Sequence, residues 1–231
     1  MPVLLAAVAV ASCQKTEQTG SMVFSLSEGN VIEVETKGNV SDYASVPSES
    51  AFMLDVKSGK TSIWSGSLTD WDPEHKLKAG NYTAEVWCGS AEEEGLSKPY
   101  FYGSADFSIF GGQVSAVEIP VSLGNCIVKI ACTDMFKNYY PSYSFTVTTG
   151  AGNEFAYTGG GLFMDAYRFT VSGRLTAQNG KTSDIEPKTW NVEPAKCYTV
   201  KFDVSNVGGV KITVSFDNTV ETVEIIEDLN D

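Results

Sequence analysis

The sequence predicts an all-β protein made of two tandem β-sandwich domains, and three observations carry that prediction. Apolar and polar residues alternate with period two in segment after segment, dipeptides suited to tight turns separate those segments, and helical periodicity is scarce. Composition agrees. The chain has 231 residues, 42% hydrophobic and 19% charged, which describes a sequence that folds around one or two cores.

The chain opens with MPVLLAAVAVASC. Residues 3–11 are apolar, too short a run to span a bilayer as a helix but suited to an export signal that ends at small residues. Val10-Ala11-Ser12-Cys13 resembles the bacterial lipobox, whose cysteine is lipidated and becomes the first mature residue. No Lys or Arg precedes the apolar run, which departs from that pattern. On this reading residues 1–12 are a signal peptide, Cys13 is the lipidation site, and 13–21 form a tether that reaches about 30 Å at most. The lipid anchor makes a membrane the first expected partner.

Strands follow. Phe52, Leu54 and Val56 share one face, with Met53 and Asp55 on the other. Tyr82, Ala84 and Val86 alternate with Thr83 and Glu85, so Trp87 should face outward. Val117, Ile119, Val121 and Leu123 form one face of a strand whose opposite face holds Pro120, which suggests a sheet edge because proline cannot donate to a ladder. The same alternation recurs at Tyr143/Phe145/Val147, Tyr167/Phe169/Val171, Tyr198/Val200/Phe202/Val204 and Val210/Ile212/Val214/Phe216. Ser58-Gly59, Gly111-Gly112, Asn179-Gly180 and Gly208-Gly209 supply the turns. The stretch DMFKNY, residues 134–139, is the best candidate for a short helix.

A weak repeat divides the chain. Ala79-Gly80-Asn81-Tyr82-Thr83 aligns with Ala195-Lys196-Cys197-Tyr198-Thr199, and each tyrosine opens a strand. Both resemble the corner tyrosine of sandwich domains, whose hydroxyl ties back to backbone. The boundary is expected near Gly124, giving one sandwich over 22–123 and another over 124–231.

Three stretches together are similar to a family of uncharacterised Bacteroidales lipoproteins of about this length, a domain of unknown function. They are Leu77-Lys78-Ala79-Gly80-Asn81-Tyr82-Thr83-Ala84; then Pro99-Tyr100-Phe101-Tyr102-Gly103 with Phe107 and strand 117–123; and Cys126 through Asp134, Tyr139 and Tyr140 into 143–147. The rest matches by pattern only. The first stretch also resembles the opening of transthyretin-like sandwiches, so the expected fold is Ig-like or transthyretin-like. In layout the chain is more distantly similar to fimbrillin-like pilus subunits: lipobox, short tether, two sandwiches. Many of those subunits mature by cleavage after an arginine near the first strand. This chain has none before Arg168 and only Lys37 in that region.

Charge and inventory bound the chemistry. Lys+Arg 16 against Asp+Glu 29 gives a net charge of −13, which disfavours nucleic acid and anionic lipid surfaces as partners. With His75 the single histidine and no GxSxG motif, no catalytic residue is assigned and no enzyme is expected. No cofactor is expected either. Asp70, Asp72, Glu74 and His75 lack calcium-loop spacing and read as a solvated loop anchored by Trp71, and Glu92-Glu93-Glu94 reads as surface charge. Cys126 and Cys132 lie on one face of one strand, roughly 20 Å apart, and cannot pair. With Cys88 and Cys197 they read as free thiols, and no metal site is expected.

The aromatics Trp71, Trp87, Tyr100 and Tyr102 form the one candidate ligand-binding group. They would either cover the end of a sandwich or the junction between the two, or stack on a sugar or serve as an adhesive hot spot. The functional expectation is a non-catalytic, surface-exposed outer-membrane lipoprotein of adhesive or fimbrial type. The alternative is a glycan-binding lipoprotein of a polysaccharide-uptake system. A protein or a glycan is thus the expected partner.

Overall fold

A computed structural model describes residues 18–28, 40–204, 210–216 and 223–227. The strands of the first part are β1 (Thr19–Glu28), β2 (Met53–Ser58), β3 (Thr61–Ser67), β4 (Leu77–Lys78), β5 (Gly80–Cys88), β6 (Gly95–Leu96), β7 (Phe101–Ile109) and β8 (Val114–Leu123). They are followed by β9 (Cys126–Cys132), helix α1 (Asp134–Tyr139), β10 (Ser142–Thr149), β11 (Glu154–Ala156), β12 (Leu162–Met164), β13 (Arg168–Thr176) and β14 (Thr182–Asn191). Last come β15 (Cys197–Val204), β16 (Val210–Phe216) and β17 (Val223–Glu227). The protein is all-β, as two tandem sandwiches. The lipobox and Gly208-Gly209 lie outside the described residues.

The first sandwich is one sheet bent over on itself, in the order β3-β2-β5-β7-β8-β1-β4. β7 and β8 pair only between residues 101–103 and 121–123, and then diverge. β8 goes on to pair in parallel with β1, which brings Phe24 of β1 against Phe107 of β7, ring centroids 5.9 Å apart. This is why Pro120 does not mark an edge strand, contrary to the sequence reading. β8 is internal, and Pro120 stands one residue beyond the last β7 pair, where no ladder bond to β7 is required of it. Gly103 is the other half of that corner: a Cβ there would lie 2.4 Å from the Pro120 carbonyl oxygen.

The second sandwich packs a four-stranded sheet, β11-β10-β13-β14, on a six-stranded one, β17-β16-β15-β9-β12-β6. Phe136 of α1, Phe145, Phe169, Tyr198 and Phe202 fill its core. Thr133 caps α1, its Oγ1 accepting from the Phe136 N–H at 3.2 Å and donating to Asp203 Oδ1 at 2.5 Å.

The six-stranded sheet serves two cores. Cys126, Val128, Leu162, Met164, Tyr198 and Val200 face the second sandwich. From the opposite face Ile127, Phe163 and Cys197 enter the core of the first, and their register sets them in one row across β15, β9 and β12. β6, from the early half of the chain, crosses over to pair with β12.

Both repeat tyrosines tie back to backbone. Tyr82 Oη donates to the Lys78 carbonyl at 2.8 Å, and Tyr198 Oη accepts from the Glu193 N–H at 2.7 Å. Gly59, Gly112 and Gly180 have φ of 60°, 74° and 81°, which explains glycine at those three turns. The four described cysteines, Cys88, Cys126, Cys132 and Cys197, are thiols joined in no disulfide. Burial pushes the Cys126 thiol up to about 12, with the nearby Asp165 charge adding to the shift.

Two outcomes follow from this packing. Gly103→Val should destabilise the protein by about 2–3 kcal/mol, read as a lowered urea midpoint, because its side chain must displace the Pro120 carbonyl. The unfolded chain loses the Cys126 proton near its ordinary value of 9.0 while the folded chain holds it to about 12. Stability from this group is therefore complete below pH 9 and falls as pH rises toward 12, by at most roughly 1.4 kcal/mol per pH unit. Urea melts across that range should show a shallower decline for Cys126→Val than for the natural chain.

Candidate functional site

β2, β5 and β7 are neighbours in the bent sheet, and their inward residues Leu54, Val86 and Phe101 are buried. Strict alternation then sends Met53, Trp87 and Tyr102 to the outer face, where Met53 pairs with Trp87 and Trp87 with Tyr102. Met53 is 39% and Tyr102 37% exposed, and Trp87 is half-buried between them. Ser67 of β3 and Ser122 of β8 extend the row at its two ends. Met53 was not among the expected site residues, although its place on the polar face of a strand was the signal.

Tyr100 adjoins the row, its ring stacked on Tyr102 at 6.4 Å and 29°. It is held from below. Its N–H donates to Asn125 Oδ1, its carbonyl accepts from the Gly124 N–H, and Gly124 packs against its ring. Desolvation raises the Tyr100 phenol above its ordinary value.

Trp71 does not belong to this group, which corrects the sequence expectation. It is 7% exposed, in the core of the first sandwich. Its Nε1 donates to the Met22 carbonyl at 3.2 Å, and its ring meets Phe24 and Trp64 edge-on, each at 5.1 Å. With its N–H and much of its ring engaged in this way, the indole stands apart from the outer row. Beside it, Asp72 accepts the Glu74 N–H in an exposed turn.

The row next to the aromatics is polar, and its groups engage one another. Lys57 Nζ lies 2.6 Å from Glu85 Oε2 and 3.6 Å from Asp55 Oδ2, and Ser62 donates to Asp55. One row further, Thr83 donates to Asp106 at 2.7 Å. The outer face thus offers one line of ring and thioether surface beside carboxylates.

The acidic run also departs from its expected role. Glu93 pairs with Lys98, but Glu94 is half-buried and reaches across to the second sandwich. Its Oε2 accepts from Thr149 Oγ1 at 2.6 Å and Asn153 Nδ2 at 2.7 Å, and its Oε1 from the Asp165 N–H at 3.2 Å. Tyr43 makes a second crossing: Lys129 Nζ and Cys197 Sγ both donate to its hydroxyl. These groups hold the junction.

One further feature concerns β1. Its far side pairs with β4 only at Thr19 and Gly20, and among the described residues no strand covers the rest of that edge. A cavity of about 130 Å³ runs beside it, lined by Phe24, Leu26, Leu68 and Trp71 among others. On the six-stranded sheet, β17 is likewise an edge.

Comparison with known proteins adds the following. A family model described as a domain of unknown function (DUF4493) matches residues 18–231. No curated protein matches the chain. Among solved structures, a fimbrial assembly protein from Parabacteroides distasonis is 10% identical with a TM-score of 0.53, over 91% of this chain and 99% of that one. The fimbrial anchor protein Mfa2 from Porphyromonas gingivalis is 8% identical with a TM-score of 0.43, over 88% of this chain and 99% of that one. At such identity the first of these shows a common fold.

Proposed function

The chain belongs to the DUF4493 family, and from that premise we propose that it is a non-catalytic cell-envelope lipoprotein, an interaction protein of the adhesive or fimbrial type. The observation that carries the reading is the β1 edge. A strand with one side unpaired among the described residues, and a cavity along it lined by Phe24, Leu68 and Trp71 together with Ser25, Glu49 and Thr69, is suited to strand addition, in which main-chain bonds give affinity and the cavity takes a side chain. The shared fold with a protein named for fimbrial assembly supports the same reading. We divide the chain into sandwiches over 22–123 and 124–231, and assign the anchor to Cys13. This holds the protein at the outer membrane, facing outward.

Size-exclusion chromatography with light scattering on the purified mature chain tests the fimbrial form. We expect species larger than a monomer after brief trypsin treatment, and a monomer with and without trypsin ends that form. Cys13→Ala should move the protein from the membrane to the soluble fraction, and an unmodified Cys13 in the natural protein, seen by mass spectrometry, ends the anchor.

A second reading rests on the Met53/Trp87/Tyr102 row, which has the flat exposed ring surface that sugars stack on. Under it the protein is a glycan-binding surface lipoprotein of a polysaccharide-uptake system. The natural chain should then bind on a glycan array, and Trp87→Ala with Tyr102→Ala should abolish that binding.

A further inference from the structure

We propose that the outer row takes an uncharged, extended glycan of about three sugar units laid across the strands rather than along them. This rests on the glycan-binding reading and makes its ligand specific. Direction comes from the register. Met53, Trp87, Tyr102 and Ser122 are successive cross-strand partners on β2, β5, β7 and β8, so the apolar line runs perpendicular to the chain direction. The apolar part, Met53 to Tyr102, spans two interstrand steps of about 4.8 Å, roughly 10 Å, and the Ser122 hydroxyl lies one step further, so the whole row covers about three pyranose rings end to end.

Width and charge select the class of ligand. Except where Tyr100 stacks on Tyr102, the apolar line is one residue wide, and the row on its other side holds Asp55 and Glu85. A protein hot spot needs an apolar centre ringed by contacts that exclude water. A single line flanked by carboxylates instead matches a pyranose, whose C–H face stacks on a ring while its rim hydroxyls donate to acceptors. Asp55, Glu85 and Asp106 stand against the single ammonium of Lys57 on this face, in a chain of net charge −13. Uronates and sulfated sugars are therefore repelled, at short range and by the field of the whole molecule. Tyr100, braced by Asn125 and Gly124, stacks against Tyr102 and fixes the far wall of the line.

The test is an array of neutral, uronate and sulfated glycans, each displayed at one to six units, probed with the full mature chain. Binding confined to neutral glycans, rising to about three units and then level, is expected. Trp87→Ala and Tyr102→Ala, checked for natural thermal stability, should each weaken it by roughly tenfold or more. Binding to uronate or sulfated glycans, or equal binding to single sugars, overturns this inference and leaves the glycan-binding reading standing. Undiminished binding by both variants moves the glycan off this row. Silence across the array ends both.

Discussion

The structure depends on one sheet being buried on both faces. Along β9, Cys126 and Val128 point into the second sandwich while Ile127, between them, points into the first. β12 and β15 repeat this with Leu162 and Met164 against Phe163, and with Tyr198 and Val200 against Cys197. Burying one such side chain contributes about 1.5–3 kcal/mol, so the row Cys197–Ile127–Phe163 is an apolar seam that joins the two halves. The polar crossings then fix its register. Glu94 takes three donors from the second sandwich, Asn125 receives the Tyr100 and Ala195 N–H groups, and Tyr43 lies against Lys129.

That arrangement decides what the outer surfaces can do. With the inner faces closed and the junction filled by hydrogen-bonded side chains, binding is left to outward residues and to open strand edges. Nature has guarded those edges unequally. β14 carries Asp184, Glu186, Pro187 and Lys188 with a bulge beside it, while β4, β6 and β11 are only two or three residues long. β1 carries no charge or proline over its apolar stretch Met22-Val23-Phe24, where the Trp71 indole covers the Met22 carbonyl.

Much of this was legible in the sequence, and what escaped shares a cause. Period-two alternation marked most of the strands, the glycine dipeptides marked the described turns, and Tyr82 and Tyr198 were readable because a corner tyrosine's bond closes within four or five residues. Local chemistry suffices for such features. The acids flanking Trp71 describe a loop that it anchors, but the strand that buries it, β1, lies nearly fifty residues earlier. Glu94 looked like one of three equivalent surface charges, and its partners lie more than fifty residues onward. Pro120 suggested an edge because a sheet that bends away from a proline gives the same local pattern as a sheet that stops there. Alternation placed Trp87 outward but could not say that Met53 would stand opposite it, since register is a property of two strands.

The parallel pairing of β1 with β8 has a consequence for how the molecule assembles. From Ser21 to Glu28, each residue of β1 meets a β8 partner more than ninety positions later in the chain. No hairpin can form that pair, and the search for it scales with the loop that must close. The strand nearest the amino terminus, made first, must therefore wait with Met22 and Phe24 uncovered until Leu123 has been synthesised and delivered. During that interval the nascent protein is a sticky intermediate, and the ladder that its early strand needs is among the last to complete.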